Sequence, residues 1–372
     1  MRSSLLRILA LVQKEFLAVL KDPRSRVIIF LPPILQSIIF GYAASFDLNA
    51  VPYAVLDQDH SAAAAALIAD LDGTGIFHRE ANLAGAGDIA RWIDPGRVLL
   101  VLRIDQDFER RLLGGGAAPV QVIADGRNSN TAGTALGYLQ VVVEDFNIRW
   151  RAEHGRPALP IAITGRSWYN PNLESRWTMI PSLLGTLTMM GTMMLTAMSV
   201  AREREQGTFD QLLVTPFRPF EIMAGKALPN MAIGVAQSTT ILLIAQFWFR
   251  IPFAGSFLLL YAGMGLFLLA AVGLGLLVSS LAATMQQAML YAFLLVMPFS
   301  LLSGLATPVA SMPRSLQLAT MVNPLRYAID ITKRIYLENA GFVRLLPDFL
   351  PLTVIGLVTL SGAAWLFRRR LT

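Results

Sequence analysis

Long apolar runs without ionisable side chains decide most of what this chain can become. Six segments, 27–46, 177–200, 227–249, 257–281, 288–306 and 348–367, contain no Asp, Glu, Lys, Arg or His away from their ends. A helix needs about 20 apolar residues to cross the hydrocarbon core of a bilayer, and most of these runs supply them. Long core helices of a soluble α/β protein would each keep a polar face. These runs mostly have none, and only 15% of the whole chain is charged. The fold class expected is an α-helical polytopic membrane protein with six transmembrane helices.

Residues 1–26 read as an amphipathic helix lying in the membrane interface. Arg7, Lys14 and Lys21 recur every seven residues, near one helical face, and leucines fill much of the rest. The competing reading, a cleaved signal peptide, requires an overlong charged leader containing Glu15 and Asp22. The first span, 27–46, holds Pro32 and Pro33, which are expected to kink or locally open it.

Residues 47–176 differ in character. They carry sixteen acids, twelve arginines, no lysine and all three histidines. "VPYAVLDQDHS", "RVLLVLRIDQDF" and "PVQVIADGRNSN" read as short strands ending in turns; "SAAAAALIADL" and "TAGTALGYLQVVVEDFNIRW" read as helices. At about 130 residues the segment can bury its own core. It is expected to form an extracytoplasmic α/β domain inserted between the first and second spans. Five further spans occupy 177–367, and 368–372 form a tail. Six spans place both termini on one side, and the basic N-terminus and Arg368-Arg369-Arg370 mark that side as cytoplasmic. Connection 201–226 is then cytoplasmic. Connection 307–347 is external, amphipathic, and read as short helices dipping into the outer interface.

Several chemistries are excluded. There is no cysteine, so thiolate metal sites and cysteine nucleophiles are impossible. No Gly-x-x-x-x-Gly-Lys-Ser/Thr loop occurs, so the chain has no phosphate cradle of that kind. "AVGLGLL" has glycine spacing inside a span, where it serves helix packing. His60, His78 and His154 lack ligand spacing. No catalytic or metal-binding set emerges, no cofactor is expected, and nothing points to nucleic acid. Ion-coupled carriers place ionisable groups near the midplane; these spans have none. A transporter built this way must be driven from outside itself.

The stretch "AREREQGTFDQLLVTPFRPFEIMAGK" interrupts the spans. Ala201–Leu213 can continue the second span as helix or form a short helix of its own. Glu203 and Glu205 alternate with Arg202 and Arg204 and can pair locally or with basic neighbours. Phe209, Leu212 and Leu213 fall on one helical face and can fill a groove on a partner, and Pro216 ends the helix. The plain alternative is a solvated linker.

This stretch resembles the signature of type-2 ATP-binding-cassette exporter permeases: Glu203, Glu205, Gly207, Thr208, Leu212, Leu213, Thr215, Pro216, then Glu221, Gly225 and Lys226 opening the next span. The similarity covers the whole chain, including "NPLRYAID" before the last span and "IADGRNSN" in the external domain. Asp105 departs from it, standing after Ile104 where the subgroup tends to have proline. The resemblance implies a half-size permease in a bacterial inner membrane, paired with a second identical or paralogous chain. A separate cytoplasmic ATPase would use ATP and Mg, and a periplasmic adaptor often accompanies this subgroup. It also implies ATPase coupling through Glu203–Pro216. Glu203 and Glu205 would then lock onto basic groups such as those of the N-terminal helix. The cargo route would follow the two-chain interface, with Thr186, Met189, Met193 and Thr196 of the second span and Phe293, Met297 and Phe299 of the fifth as candidates. The apolar, Met- and Thr-rich second span suits hydrophobic or amphipathic cargo, drug-like or lipid-like. The competing functions are a membrane scaffold or assembly factor with an external sensing domain, and a membrane enzyme.

Overall fold

The computed structural model describes residues 2–21, 23–43, 48, 50–127, 129–156, 169, 174–207 and 219–369. The chain divides into two compact units, one made of Met1–Ser45 with Ser167–Thr372 and the other of Phe46–Arg166. The first unit opens with α1 (Arg2–Lys21) and α2 (Pro23–Ala43). Leu5, Leu6 and Leu9 of α1 stay exposed while Leu11 is buried, the pattern of a helix with one face against protein and another left apolar. The helix α2 runs on through Pro32 and Pro33 rather than opening there. Ser37 Oγ donates to the Pro33 carbonyl at 2.6 Å, the kind of local hydroxyl contact that helps a proline-containing helix persist.

The second unit is built on a four-stranded sheet. Its elements are β1 (Val51–Asp57), α3 (Ala62–Gly73), β2 (Phe77–Asn82), α4 (Ile89–Ile93), β3 (Leu100–Ile104), α5 (Phe108–Gly114), β4 (Val120–Ala124) and α6 (Ser129–Glu153). Spatial order is β2-β1-β3-β4, with β2, β1 and β3 parallel and β4 antiparallel to β3. The period of two puts Val51, Tyr53, Val55, Leu100, Leu102 and Ile104 on one face, against Leu67, Leu71, Phe108, Leu139 and Phe146 of the helices. Ala54, Leu56 and Val101 face the other way, under Trp92 and Ile93. Both faces are covered, as parallel sheets require.

Two loops at the carboxyl ends of β1 and β3 cap each other's helices. Asp59 accepts from the backbone N–H groups of Phe108 and Glu109 at 3.1 Å each, and Glu109 Oε1 accepts from Ala63 N–H at 3.2 Å. Desolvation pushes the Asp59 carboxyl up, but hydrogen bonds from Ser61 and from the backbone of Glu109, Phe108 and Asp107 outweigh it and hold the group below its ordinary value. The departure at Asp105 is accommodated here. Asp105 pairs with Arg103 at 2.8 Å, and the turn is completed by Asp107 at φ 75°.

The first unit resumes with α7 (Ser175–Glu205), α8 (Pro219–Leu243), α9 (Phe257–Leu281), α10 (Met285–Leu301), α11 (Arg314–Ala319), α12 (Pro324–Glu338) and α13 (Phe342–Arg369). Among the described residues, four helices are long and apolar enough to cross a membrane: Ser175–Glu205, Phe220–Trp248, Phe257–Leu281 and Phe342–Arg369. Two shorter apolar helices are Phe30–Tyr42 and Met285–Leu301. The helix α13 begins at Phe342, earlier than the expected 348, because its first turns are amphipathic. Leu345 and Phe349 enter the core while Asp348 meets Arg334 at 3.1 Å. The "AVGLGLL" glycines do serve packing. A Cβ on Gly273 would stand 2.3 Å from Thr359 Oγ1, and one on Gly275 2.7 Å from Thr196 Cβ. In "NPLRYAID", Asn323 caps α12 through Leu325 N–H at 3.0 Å, and Pro324 takes the first helical position. Leu325, Ala328, Ile329, Ile331 and Ile335 then bury one face of α12.

Candidate functional site

Lys226 organises one end of the helical unit. Its side chain is only 5% exposed, and its Nζ lies 2.8 Å from Glu203 Oε2 on α7 and 3.1 Å from Glu15 Oε1 on α1. It also donates to Ser199 Oγ at 3.3 Å. Lys14 reaches the other Glu203 oxygen at 3.4 Å. Nearer the start of both helices, Arg7 of α1 approaches the buried Glu221 of α8 at 3.8 Å. Among the described residues three cations thus meet three carboxylates, with Lys226, Glu203 and Glu221 buried and Arg7 and Lys14 reaching in from the exposed side, so the charges of the cluster offset one another. Pairing of this kind is what lets ionised groups tolerate desolvation.

Local sequence explains how the elements approach. A Cβ on Gly225 would stand 2.6 Å from Leu11 Cβ. Only glycine lets α8 come so close to α1, and the next residue, Lys226, is thereby delivered between α1 and α7. The heptad spacing of Arg7 and Lys14 puts both on the α1 face that meets these acids.

The neighbours of Glu203 fasten α7 to two further helices. Arg204 donates to the carbonyls of Ser280 and Ala282 at 3.1 and 3.0 Å, where the C-terminal dipole of α9 favours a cation. Glu205 Oε2 accepts from Met285 N–H at 2.9 Å, at the start of α10, the corresponding place for an anion. Ser279 Oγ accepts from Val200 and Ala201 N–H. Continuing out of its apolar run, α7 ends at Glu205 with Gln206 as its cap, and Gly207 follows at φ 68°, the left-handed conformation glycine adopts without strain. Of the coupling residues, Glu203, Glu205 and Gly207 are therefore placed; Thr208, Phe209, Leu212, Leu213 and Pro216 lie outside the described residues. Sequence reasoning quoted Lys226 only as part of a motif and did not single out Lys14, Glu15, Ser199, Arg204 or Glu221 as site residues. The heptad of basic residues in α1 and the Gly-Lys pair were the available signals.

The candidate cargo residues are scattered. Met189, Met193 and Thr196 are fully buried inside the unit, and Thr196 bonds back to the Thr192 carbonyl at 2.7 Å. Thr186 is half-buried and bonded to Ser182. Phe293 and Met297 are exposed on α10, whereas Phe299 packs partly against the core. The open side of α7 is the next face round. Met190, Met194 and Met198 line a cleft of about 240 Å³ with Pro32 and Pro33 of α2, Gln237 of α8 and Met289 of α10. Methionine's flexible thioether lets such a wall fit apolar shapes of different outline.

A family model described as ABC-2 family transporter protein matches residues 23–365. The chain is 40% identical over 364 residues to the "Probable multidrug ABC transporter permease YbhR" of Escherichia coli K12, covering 98% of this chain and 99% of that one. It is 29% identical to the "Probable multidrug ABC transporter permease YbhS" of the same organism, over 98% of this chain and 97% of that one. It is 28% identical to that organism's "Inner membrane transport permease YhhJ", over 90% and 92% of the two chains.

Proposed function

Because the chain belongs to the ABC-2 transporter family, we propose that it is the membrane permease of an ATP-driven exporter, powered by a separate ATPase subunit at its cytoplasmic face. The observation that carries the reading is the charge distribution of the helical unit. The spans hold nothing ionisable away from their ends, while one end gathers Arg7, Lys14, Glu15, Glu203, Glu221 and Lys226 into a cluster. Force must therefore enter mechanically at that end.

In this proposal six spans cross a bacterial inner membrane, both termini and segment 201–226 face the cytoplasm, and the second unit is extracytoplasmic. Phe209, Leu212 and Leu213 seat in a groove of the ATPase. When the ATPase subunits close, the displacement enters α7 at Gly207. Glu203 passes it to α1 and α8, Arg204 to α9, and Glu205 to α10. The fastened helices then move as a body. A second permease chain completes the route, and a periplasmic adaptor carries cargo onward. The methionine-walled cleft is the cargo-facing part of α7 and suits hydrophobic or amphipathic molecules, a reading supported by the multidrug permeases named above.

The test is capture of the ATPase. Leu212→Asp is expected to lose ATPase co-purification, or to keep it while hydrolysis no longer drives export, with the permease still inserted and monodisperse. A Leu212→Asp variant that binds its ATPase and exports at the normal rate would overturn the coupling role.

A further inference from the structure

The second unit contains a cavity of about 410 Å³ that its fold leaves unfilled. Its floor is one face of α3, on which Ala65, Ile68 and Ala69 recur at helical spacing. The two alanines are too small to close the groove between α3 and β2. The opposite wall is the open edge of the sheet, near the carboxyl ends of parallel strands, where α/β sheets present ligand crevices. A register shift in the β1–β2 pairing falls between Arg79 and Ala81. In a regular strand Arg79 and Asn82 would point to opposite faces; the bulge brings both to the cavity.

Arg79 with Asp72 and Asp57 with His60 form two separate polar groups of the lining. On β2, Asp72 of α3 holds Arg79 at 3.0 Å and is itself fixed by the Tyr53 hydroxyl at 2.7 Å. That leaves the remaining guanidinium N–H groups of Arg79, and the Asn82 amide, without side-chain partners among the described residues. At the end of β1, Asp57 Oδ1 accepts from the N–H groups of Asp59 and His60 at 3.0 Å each. This turn carries His60 at φ 52° and sets its Nδ1 3.8 Å from Asp57 Oδ2, beyond hydrogen-bond reach, so that Oδ2 accepts no hydrogen bond among the described residues. One cavity thus holds a guanidinium edge fixed by Asp72, a carboxylate oxygen of Asp57 flanked by His60 and an aliphatic floor.

We propose that this cavity is a binding site for a small zwitterion of amino-acid size, its carboxylate on Arg79 and Asn82, its ammonium on Asp57, and an aliphatic side chain over Ile68 and the two alanines. A planar guanidinium takes a carboxylate through paired hydrogen bonds, and the opposed charges reject ligands bearing only one of the two.

The experiment is calorimetric titration of the purified full-length chain with leucine, isoleucine and valine. Leucinamide and 4-methylpentanoate, each lacking one charge, serve as controls. At least one of the three amino acids is expected to bind, and its single-charge analogues to bind at least about tenfold more weakly. Ala69→Trp fills the floor without touching a charge, and Asp57→Asn keeps the turn's accepting oxygen while removing the charge. Both are expected to weaken binding by at least about tenfold, with circular dichroism unchanged as the check on folding. The proposal is overturned if none of the three binds, if the single-charge analogues bind as tightly, or if Ala69→Trp binds like the parent.

Discussion

Replacing Lys226 by methionine tests the buried cluster most directly. Methionine retains the unbranched stem and removes the charge, so packing changes little. Two carboxylates lose their nearest cation. Glu203 is 9% exposed and Glu15 21% exposed, at 2.8 and 3.1 Å from the missing ammonium. Removing one partner of a buried pair costs about 3–5 kcal/mol, because the other charge is left desolvated. Glu203 keeps Lys14 at 3.4 Å, but that lysine is 57% exposed and recovers only the under ~1 kcal/mol typical of exposed pairs. The expected loss is therefore about 2–4 kcal/mol. Adding Glu203→Gln to Lys226→Met removes the carboxylate charge that faced Lys226 and should restore about 1–2 kcal/mol of it, a coupling that a double-mutant cycle reads directly. The assay is reversible unfolding in mixed detergent micelles. If Lys226→Met costs under about 1 kcal/mol, or if the double variant is no better than the single, the cluster behaves as a solvated surface pair and the argument fails.

Three other perturbations probe separate elements. Gly225→Val should force α1 off α8, since its Cβ would overlap Leu11. Overpacking of this kind costs about 1–3 kcal/mol, and faster tryptic cleavage within α1 would report it, while unchanged cleavage would count against the close approach. Met194→Trp should alter which apolar compounds are exported while leaving stability near the parent. Met189→Ala should instead cost about 2–5 kcal/mol as a buried truncation, and the reverse pattern would assign the faces of α7 the other way. Arg127 beside Asp125, through its side chain and then its N–H, holds that carboxyl down to about 2. A depressed carboxyl pKa means the interaction is fully present above the ordinary value near 3.8 and is lost as pH falls toward about 2. Arg127 also donates to the carbonyls of Ile93 and Asp94, so a variant keeping Trp92 as its only tryptophan should change emission across that window, and Asp125→Asn should abolish the change.

Much of the helical unit was legible because its cause is local. A run of apolar residues without ionisable groups satisfies the bilayer wherever it occurs in a chain, and Asn323-Pro324 marks a helix start through atoms within two residues of each other. The runs at 51–57, 100–104 and 120–124 read as strands for a similar reason, an apolar stretch closed by turn residues. The strand Phe77–Asn82 escaped notice because it lacks an apolar run. Only Phe77 of its six residues is buried, so its charged face resembles a loop until β1 is beside it.

The faces of α7 were not readable from sequence. In a membrane protein both the protein-facing and the lipid-facing sides of a helix are apolar, so Met189 and Met190 look alike. Only packing shows the first buried against the core and the second opening on a cleft. The partners of Glu203 were equally hidden. By itself the sequence determined that Glu203 and Lys226 are charged residues flanking apolar spans. Tertiary structure decided that Lys14, 189 positions away, and Lys226 would meet at that carboxylate, because ion pairing depends on distance in space and the close approach at Gly225 is what sets it.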